Sequence, residues 1–166
     1  MAVPHKPRGL YPTVTFSFLL AMSPDKSLVE ITNDPLPPLN VFFDLVADVS
    51  AGAVSTFSGT TRDTFNGKQV LRLDYTAYAP MATKVLHDLI TEARARWPLR
   101  HVAVHHRTGT VPAGQASVII AVSSVHRREA MHATEYLIDE LKRRCPIWKK
   151  EVYTDGSMWK ENDRCC

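Results

Sequence analysis

The chain has 166 residues, with 20 lysines and arginines, 17 aspartates and glutamates, and a formal net charge of +3. A chain of this length suits one ordinary domain with a substantial hydrophobic core. Hydrophobic residues make up 45% of the sequence and charged residues 22%, which excludes a disordered or fibrous protein. No apolar run reaches the roughly 18 residues of a membrane span. The small net charge does not by itself indicate a nucleic-acid-binding protein.

The cysteine and histidine patterns argue against a metal site. The cysteines are Cys145, Cys165 and Cys166, an odd number without C-x-x-C spacing, which excludes a disulfide framework and a zinc site built from cysteines. No predicted helix carries the H-x-x-x-H spacing of a metal site, and no glycine-rich nucleotide loop is present. We therefore expect a reducing compartment, the cytosol, and neither a metal nor a cofactor.

Prolines divide the chain into two parts, because seven of the eleven lie within the first 40 residues. We interpret residues 1–27 as an irregular or disordered extension and residues 28–166 as a single domain. Within the extension, the apolar segment Val14–Met22 faintly resembles a secretory signal. Its short apolar core and the lack of a clean cleavage site favour a leader of another kind.

The hydrophobic pattern of the first half predicts a strand, a helix and a hairpin. Val29–Thr32 is a short strand candidate, and the apolar residues within 39–49 recur at the i, i+4 spacing of an amphipathic helix. Residues 52–61 are rich in small and β-branched side chains and predict a strand. Asn66–Gly67 then favours a tight turn, followed by a second strand over 70–78.

The second half alternates helices and strands in the same way, with helices ending before Pro98 and Pro146. The nearly continuous apolar run from Ser117 predicts a strand covered on both faces. The predicted elements are a helix over 81–97, a strand over 101–107, a turn over 111–114, a strand over 117–122, a helix over 127–144 and an extended segment over 147–153. Strands and hairpins with three helices predict an α+β fold, one domain with a mainly antiparallel sheet and no internal repeat.

The first candidate site is the start of the last helix, where His126 and Arg127 follow a buried strand. A helix start presents unpaired N–H groups and the positive end of the helix dipole, so these residues could bind a phosphate or carboxylate. The alternative is that Ser124 caps the helix and the basic side chains are solvated.

The second candidate site lies at the other end of that helix. Lys142 is one of three cations there, which could simply complement the helix dipole. Beyond Pro146, strand alternation places Lys149 and Glu151 on one face, and Lys150 on the other. Lys142 could converge on Lys149, and two neighbouring lysines repel as cations, which favours a neutral amine for nucleophilic or general-base chemistry. A surface cluster without a ligand is the alternative.

The third candidate is Arg62, in the segment Thr60–Asp63 at the mouth of the hairpin. A guanidinium group is a forked donor suited to a phosphate. The alternative is an ordinary loop arginine paired with Asp63.

Several segments together resemble the catalytic large-subunit family of molybdopterin synthase. The match spans about residues 29–162, and the segment 157–162 resembles the eukaryotic form of the ending. The segments that carry the resemblance, in order, are GAVSTFSGTTRD at 52–63, YAPMA at 78–82, RWPL at 96–99, HRTG at 106–109, SSVHRREA at 123–130 and PIWKKE at 146–151.

This resemblance implies an α/β hammerhead subunit that dimerises, each copy binding a small ubiquitin-like sulfur-carrier subunit in a heterotetramer. It implies that the carrier's C-terminal Gly-Gly thiocarboxylate enters the large subunit and passes sulfur to cyclic pyranopterin monophosphate, forming the molybdopterin dithiolene. Because the partner supplies the sulfur, no cysteine nucleophile is needed, and Cys145 is expected to be structural. The resemblance implies no nucleic-acid or membrane partner.

The resemblance also assigns roles to single residues. Lys142 and Lys149 match the two essential lysines, while Trp148 is expected to pack beneath the corner. The residues matched to substrate binding and support are Arg62, His126, Arg127 and Glu151, with Arg164 as a possible substitute for a basic residue that reaches across the dimer. The competing hypothesis is a non-catalytic phosphate- or RNA-binding module that uses the same basic surface, although interleaved exposed aromatic residues are missing from the sequence.

Overall fold

The computed structural model describes residues 25–160, in which the chain forms three helices and nine strands. The elements are β1 (Ser27–Thr32), α1 (Leu39–Val46), β2 (Ala53–Thr60), β3 (Thr64–Phe65), β4 (Lys68–Ala77), α2 (Ala79–Arg96), β5 (Leu99–Arg107), β6 (Gly109–Pro112), β7 (Ala116–Ser124), α3 (Arg127–Arg144), β8 (Ile147–Tyr153) and β9 (Gly156–Lys160). The three predicted helices are confirmed. No helix in this range is long and apolar enough to cross a membrane.

The strands form two sheets. The first has the order β1-β5-β7-β2, and the second has the order β3-β4-β8-β9, with β6 also paired to β4. Among the described strands, only β1 and β5 pair in parallel. The predicted α+β fold with mainly antiparallel pairing is therefore confirmed.

Strand β7 explains why the first sheet needs helices on both faces. Its residues Val118, Ile120 and Val122 pack into the core formed with α2 and α3, while Ile119 and Ala121 pack on the side of α1. Successive side chains of a strand point to opposite faces, so a continuously apolar strand must be covered on both. This confirms the expectation for this segment.

Helix α3 connects the first sheet to the second. Its inner residues Ala130, Ala133, Leu137 and Leu141 are buried, as their helical spacing predicts, and the last three belong to the core formed with the first sheet and α2. The helix ends before Pro146, whose carbonyl oxygen accepts a 3.2 Å hydrogen bond from the Tyr78 amide. This corner carries the chain directly into β8 and sets the last turn of α3 beside the second sheet.

Three local predictions differ from the structure. Helix α1 ends at Val46 instead of residue 49, because the Asp48 carboxylate accepts a 2.7 Å bond from the Ser50 amide and favours a turn. The first half of the turn predicted over 111–114 belongs to strand β6 instead, and the Thr110 hydroxyl of this strand donates to Asp74 of β4 at 2.9 Å. Strands β3 and β9 were not predicted, and β3 has only two residues.

Several predictions fall outside the described residues. Strand β1 begins at Ser27, and most of the predicted extension precedes the described range. The domain boundary at residue 27 therefore stays a prediction. Arg164, Cys165 and Cys166 also lie outside it, so the cross-subunit role of Arg164 stays a prediction too.

Candidate active site

A cavity of about 510 Å³ lies where the second sheet, the loop after β2 and the end of α3 meet. We call it the lysine cavity. Its hydrophobic wall includes Phe57, Leu73 and Ile147. Of the predicted site residues, six lie within the described range, and four of these line the cavity. These four are Arg62, Lys142, Lys149 and Glu151.

Lys149 and Glu151 face the cavity from β8, as the strand period of two predicts. Lys149 Nζ lies 3.9 Å from Glu151 Oε1. Glu151 is only 6% exposed and accepts a hydrogen bond from the Tyr153 hydroxyl. This bond raises the pKa of Tyr153 to about 12, so the phenol stays protonated and keeps donating near neutral pH. The buried carboxylate thus has one fixed donor and one cation beside it.

Of the three cations that end α3, only Lys142 lines the cavity. The other two form ion pairs on the helix surface: Arg143 with Glu140 at 2.5 Å, and Arg144 with Glu92 at 2.8 Å. The two arginines are therefore engaged by carboxylates on the helix surface, while Lys142 lines the cavity as the ligand-site interpretation predicts.

Arg62 enters the cavity from the loop after β2. Its guanidinium carbon lies 5.4 Å from the centre of the Phe65 ring, and it forms no ion pair with Asp63 within the described residues. Asp63 instead accepts a 3.0 Å hydrogen bond from the Thr64 hydroxyl. The alternative of an Arg62–Asp63 pair is therefore wrong, and the forked donor lines the same cavity as the two lysines.

His126 and Arg127 lie elsewhere. They are exposed at the N-cap and first residue of α3, and neither lines the cavity. At about 1.5 Å per residue, the helix alone separates Arg127 from Lys142 by roughly 22 Å. The Ser124 hydroxyl donates to the Pro98 carbonyl at 2.9 Å, so the alternative in which Ser124 caps the helix is wrong. One chain therefore does not bring all six residues together.

The cavity also contains polar residues that no sequence pattern indicated. The Tyr75 hydroxyl donates to Ser117 Oγ at 3.1 Å, and Ser117 donates to the Gly59 carbonyl at 3.3 Å. The His106 ring meets the Tyr75 ring edge-on, with centroids 5.2 Å apart. The Thr61 hydroxyl is buried without a hydrogen-bond partner. Their only signal in the sequence is a polar group at a strand position that faces the core. Tyr75 alternates with Leu73 along its strand, so it resembles an ordinary core residue.

Burial sets the protonation states of Tyr75 and His106, which form the inner wall of the cavity. It raises the pKa of Tyr75, so the phenol is neutral near pH 7. It lowers the pKa of His106 to about 4, although the bond to the Arg107 carbonyl opposes that shift. Both side chains are therefore uncharged hydrogen-bonding groups in a cavity whose described charged lining residues are three cations and one carboxylate.

Cys145 and Trp148 lie beside the α3–β8 corner but outside this lining. Cys145 is buried with its Sγ 3.6 Å from the Ala82 carbonyl oxygen, and burial raises its pKa to about 11, which suits a structural thiol and not a nucleophile. Trp148 is 49% exposed, so the expectation that it packs beneath the corner is wrong. Alternation along β8 directs it to the face opposite Lys149.

The cavity suits an anionic ligand that would bind with its reacting group beside a lysine amine. Arg62, Lys142 and Lys149 supply charge-assisted donors, and no cysteine is among the described residues that line the cavity. Within residues 25–160, no group of three or more histidine, cysteine, aspartate or glutamate residues is placed to hold a metal ion.

Comparison with known proteins identifies the family. Residues 31–144 match the model of the MoaE protein family. The chain is 54% identical over 139 residues to a protein from Arabidopsis thaliana named molybdopterin synthase catalytic subunit, covering 83% of this chain and 70% of that protein.

Solved structures share the fold. The structure of molybdopterin synthase from Staphylococcus aureus superposes with a TM-score of 0.75 at 37% identity, covering 79% of this chain and 95% of that one. A complex of subunits 1 and 2 of the molybdopterin-converting factor from Helicobacter pylori has a TM-score of 0.64 at 19% identity, over 82% and 90% of the two chains, and supports the fold alone. The family match and the level of identity together show that the chain belongs to the MoaE protein family.

Proposed function

We propose that this chain is the catalytic subunit of a molybdopterin synthase, a cytosolic sulfurtransferase of molybdenum cofactor biosynthesis. The observation that carries the proposal is the convergence of Arg62, Lys142 and Lys149 in one cavity, in a chain of the MoaE family. The sulfur donor is the C-terminal Gly-Gly thiocarboxylate of a small ubiquitin-like carrier, and the acceptor is cyclic pyranopterin monophosphate.

The charges of the cavity suit this reaction. A thiocarboxylate and a phosphate are both anions, and Arg62 provides a fork for the phosphate oxygens. Attack by the thiocarboxylate sulfur on a side-chain carbon of the pterin forms a carbon–sulfur bond and a thioester with the carrier, while the carbon–oxygen bond at that carbon breaks. The displaced oxygen leaves on the opened phosphate ester in one round and as water in the other. Water then hydrolyses the thioester, which leaves the sulfur on the product and returns the carrier as a carboxylate. Two such rounds supply both dithiolene sulfurs.

The two lysines have different surroundings. Lys142 is exposed at the end of α3, where it can orient the entering tail and stabilise the oxyanion that develops when water attacks the thioester carbonyl. Lys149 is more enclosed and lies beside the buried carboxylate of Glu151, which suits an acid–base group or transient amine acting on the pterin. Glu151 positions the Lys149 side chain.

The position of His126 and Arg127 supports a dimer that shares its sites. Because these residues lie roughly 22 Å along α3 from Lys142, they can bind the phosphate of the same substrate only if a second copy brings them to this cavity. We therefore propose a homodimer of this chain within a heterotetramer, with His126 and Arg127 serving the neighbouring cavity.

Complementation between variants tests the shared site. Lys149→Ala and Arg127→Ala chains are each expected to be inactive, and a mixture refolded together is expected to regain about a quarter of the wild-type activity. Half of the random dimers are mixed, and each has one intact site. If both residues served the same chain's cavity, every site of a mixed dimer would carry one defect and no activity would return.

Reconstitution tests the function itself. The full chain is mixed with thiocarboxylated carrier and cyclic pyranopterin monophosphate, and the products are followed by mass. We expect a dithiolene product containing two sulfurs and a carrier returned as the carboxylate. Unchanged substrate and carrier would contradict the proposal. The RNA-binding alternative is not favoured, because the cations converge in a cavity instead of forming an exposed stripe.

A further inference from the structure

We propose that Tyr75 and His106 form a pair of hydrogen-bond acceptors on the inner wall of the lysine cavity, and that this pair binds an N–H group of the ligand. The inference rests on the proposed function and adds two specificity-determining residues to it. Neither residue belongs to the cationic set that holds the anionic groups.

His106 is fixed as an acceptor by its own strand. It lines the cavity, is 4% exposed, and its Nδ1 lies 2.8 Å from the Arg107 carbonyl oxygen. A carbonyl oxygen only accepts, so Nδ1 must carry the proton. The ring is neutral near pH 7, and its Nε2 therefore holds a lone pair. Among the described residues none donates a hydrogen bond to Nε2.

Tyr75 is fixed as an acceptor by a chain of hydroxyl groups. Ser117 gives its proton to the Gly59 carbonyl, so it accepts from Tyr75 and the phenol proton is committed to Ser117. The Tyr75 oxygen keeps lone pairs that no described residue uses. Two neighbouring rings thus offer acceptors in one enclosed wall, with centroids 5.2 Å apart.

The register of the second sheet sets this pair beside the proposed chemistry. Tyr75 of β4 lies directly opposite Lys149 of β8 in the antiparallel ladder. Side chains of directly opposed residues share a face, with Cβ atoms about 4.5–5.5 Å apart. A ligand N–H held by Tyr75 and His106 therefore places the adjoining part of that ligand next to the Lys149 amine.

Two proposed ligands supply N–H donors. One is the pterin ring, a planar heterocycle with ring and exocyclic N–H groups, and the other is the peptide backbone of the carrier's Gly-Gly tail. Both ligands therefore offer a neutral N–H hydrogen-bond donor next to a group that carries negative charge. Buried acceptors discriminate strongly against a ligand that leaves them unpaired.

Binding measurements on the full chain test the pair without turnover. Tyr75→Phe removes only the hydroxyl, while Tyr136→Phe is the matched control, because its hydroxyl binds Glu92 away from the cavity. His106→Leu removes the second acceptor, and His106→Gln keeps one. The titrants are cyclic pyranopterin monophosphate and a carrier ending in the unreactive Gly-Gly carboxylate, each measured by calorimetry.

We expect Tyr75→Phe to weaken binding of one titrant roughly 2- to 10-fold, the range for one neutral hydrogen bond, with Tyr136→Phe unchanged. His106→Leu should weaken the same titrant, and His106→Gln should recover part of the loss. Weaker pterin binding identifies the ring as the donor, and weaker carrier binding identifies the tail. Unchanged affinity of Tyr75→Phe for both overturns the inference even if His106→Leu fails to fold. A wild-type chain that binds both ligands but transfers no sulfur refutes the proposed function instead.

Discussion

The pairing of Lys149 with Glu151 makes a prediction about stability that can be worked from the structure. Their charged atoms are 3.9 Å apart, and the side chains are 29% and 8% exposed. At an effective dielectric constant of about 20, two unit charges at this distance attract by about 4 kcal/mol, before desolvation is subtracted. Because Lys149 is partly solvated, we expect a net coupling of about 1–3 kcal/mol.

A double-mutant cycle measures this coupling. Lys149→Met leaves a buried carboxylate without its cation, and Glu151→Gln leaves the cation without its carboxylate but preserves an acceptor for Tyr153. The free energy of unfolding of both single variants, the double variant and the wild type follows from urea denaturation monitored by circular dichroism. The double variant is expected to lose less stability than the sum of the single variants. Losses that add to within about 0.5 kcal/mol would refute the coupling and the positioning role of Glu151.

Two further predictions concern other residues. Hydrogen bonds from Arg144, and then Tyr136, lower the pKa of Glu92 from 4.5 to about 2, so its contribution is complete above pH 4.5 and is lost as the pH falls towards 2. Glu92→Gln should therefore lower the urea midpoint at pH 6. Between pH 4.5 and pH 2, the urea midpoint of this variant should fall less than that of the wild type. Parallel pH profiles of the two midpoints would contradict this prediction. Thr61→Val removes a buried hydroxyl that has no partner and should raise the free energy of unfolding by about 1 kcal/mol. A loss of stability in the same urea assay would indicate that the hydroxyl has a partner in solution.

The sequence predicted the part of the site that depends on local periodicity. Alternation along β8 was enough to place Lys149 and Glu151 on one face, and the helix end followed from Pro146. That Lys142 lines the same cavity depends on the angle at the α3–β8 corner, which the hydrogen bond between Tyr78 and Pro146 helps to fix. This is a contact between distant parts of the chain, so the sequence could suggest the convergence but not decide it.

The inner wall of the cavity could not be predicted for the same reason. Tyr75, His106 and Ser117 come from β4, β5 and β7, and their contacts arise only when the two sheets meet. The position of His126 is a different case. The length of the predicted last helix already separates it from Lys142, so the residues that the resemblance matches to the site could not all reach one cavity within one chain.

The fold follows the same division between local and distant interactions. Long periodic segments such as α2 and α3 were predicted almost to their ends, because their apolar stripes and flanking prolines are local signals. The short strands β3, β6 and β9 were not predicted, because their own composition does not mark them as strands. They are strands because each pairs with a longer one, β4 or β8.

The most direct test of the central claim compares two adjacent lysines in the complete sulfur-transfer assay. Lys149 faces the lysine cavity, while Lys150 follows it in β8 and does not line the cavity. With thiocarboxylated carrier and cyclic pyranopterin monophosphate, Lys149→Ala should form no dithiolene product by mass but still bind the carrier. Lys150→Ala should form it at close to the wild-type rate. Full activity of Lys149→Ala, or equal losses in both variants, would contradict the assignment of this cavity as the sulfur-transfer site.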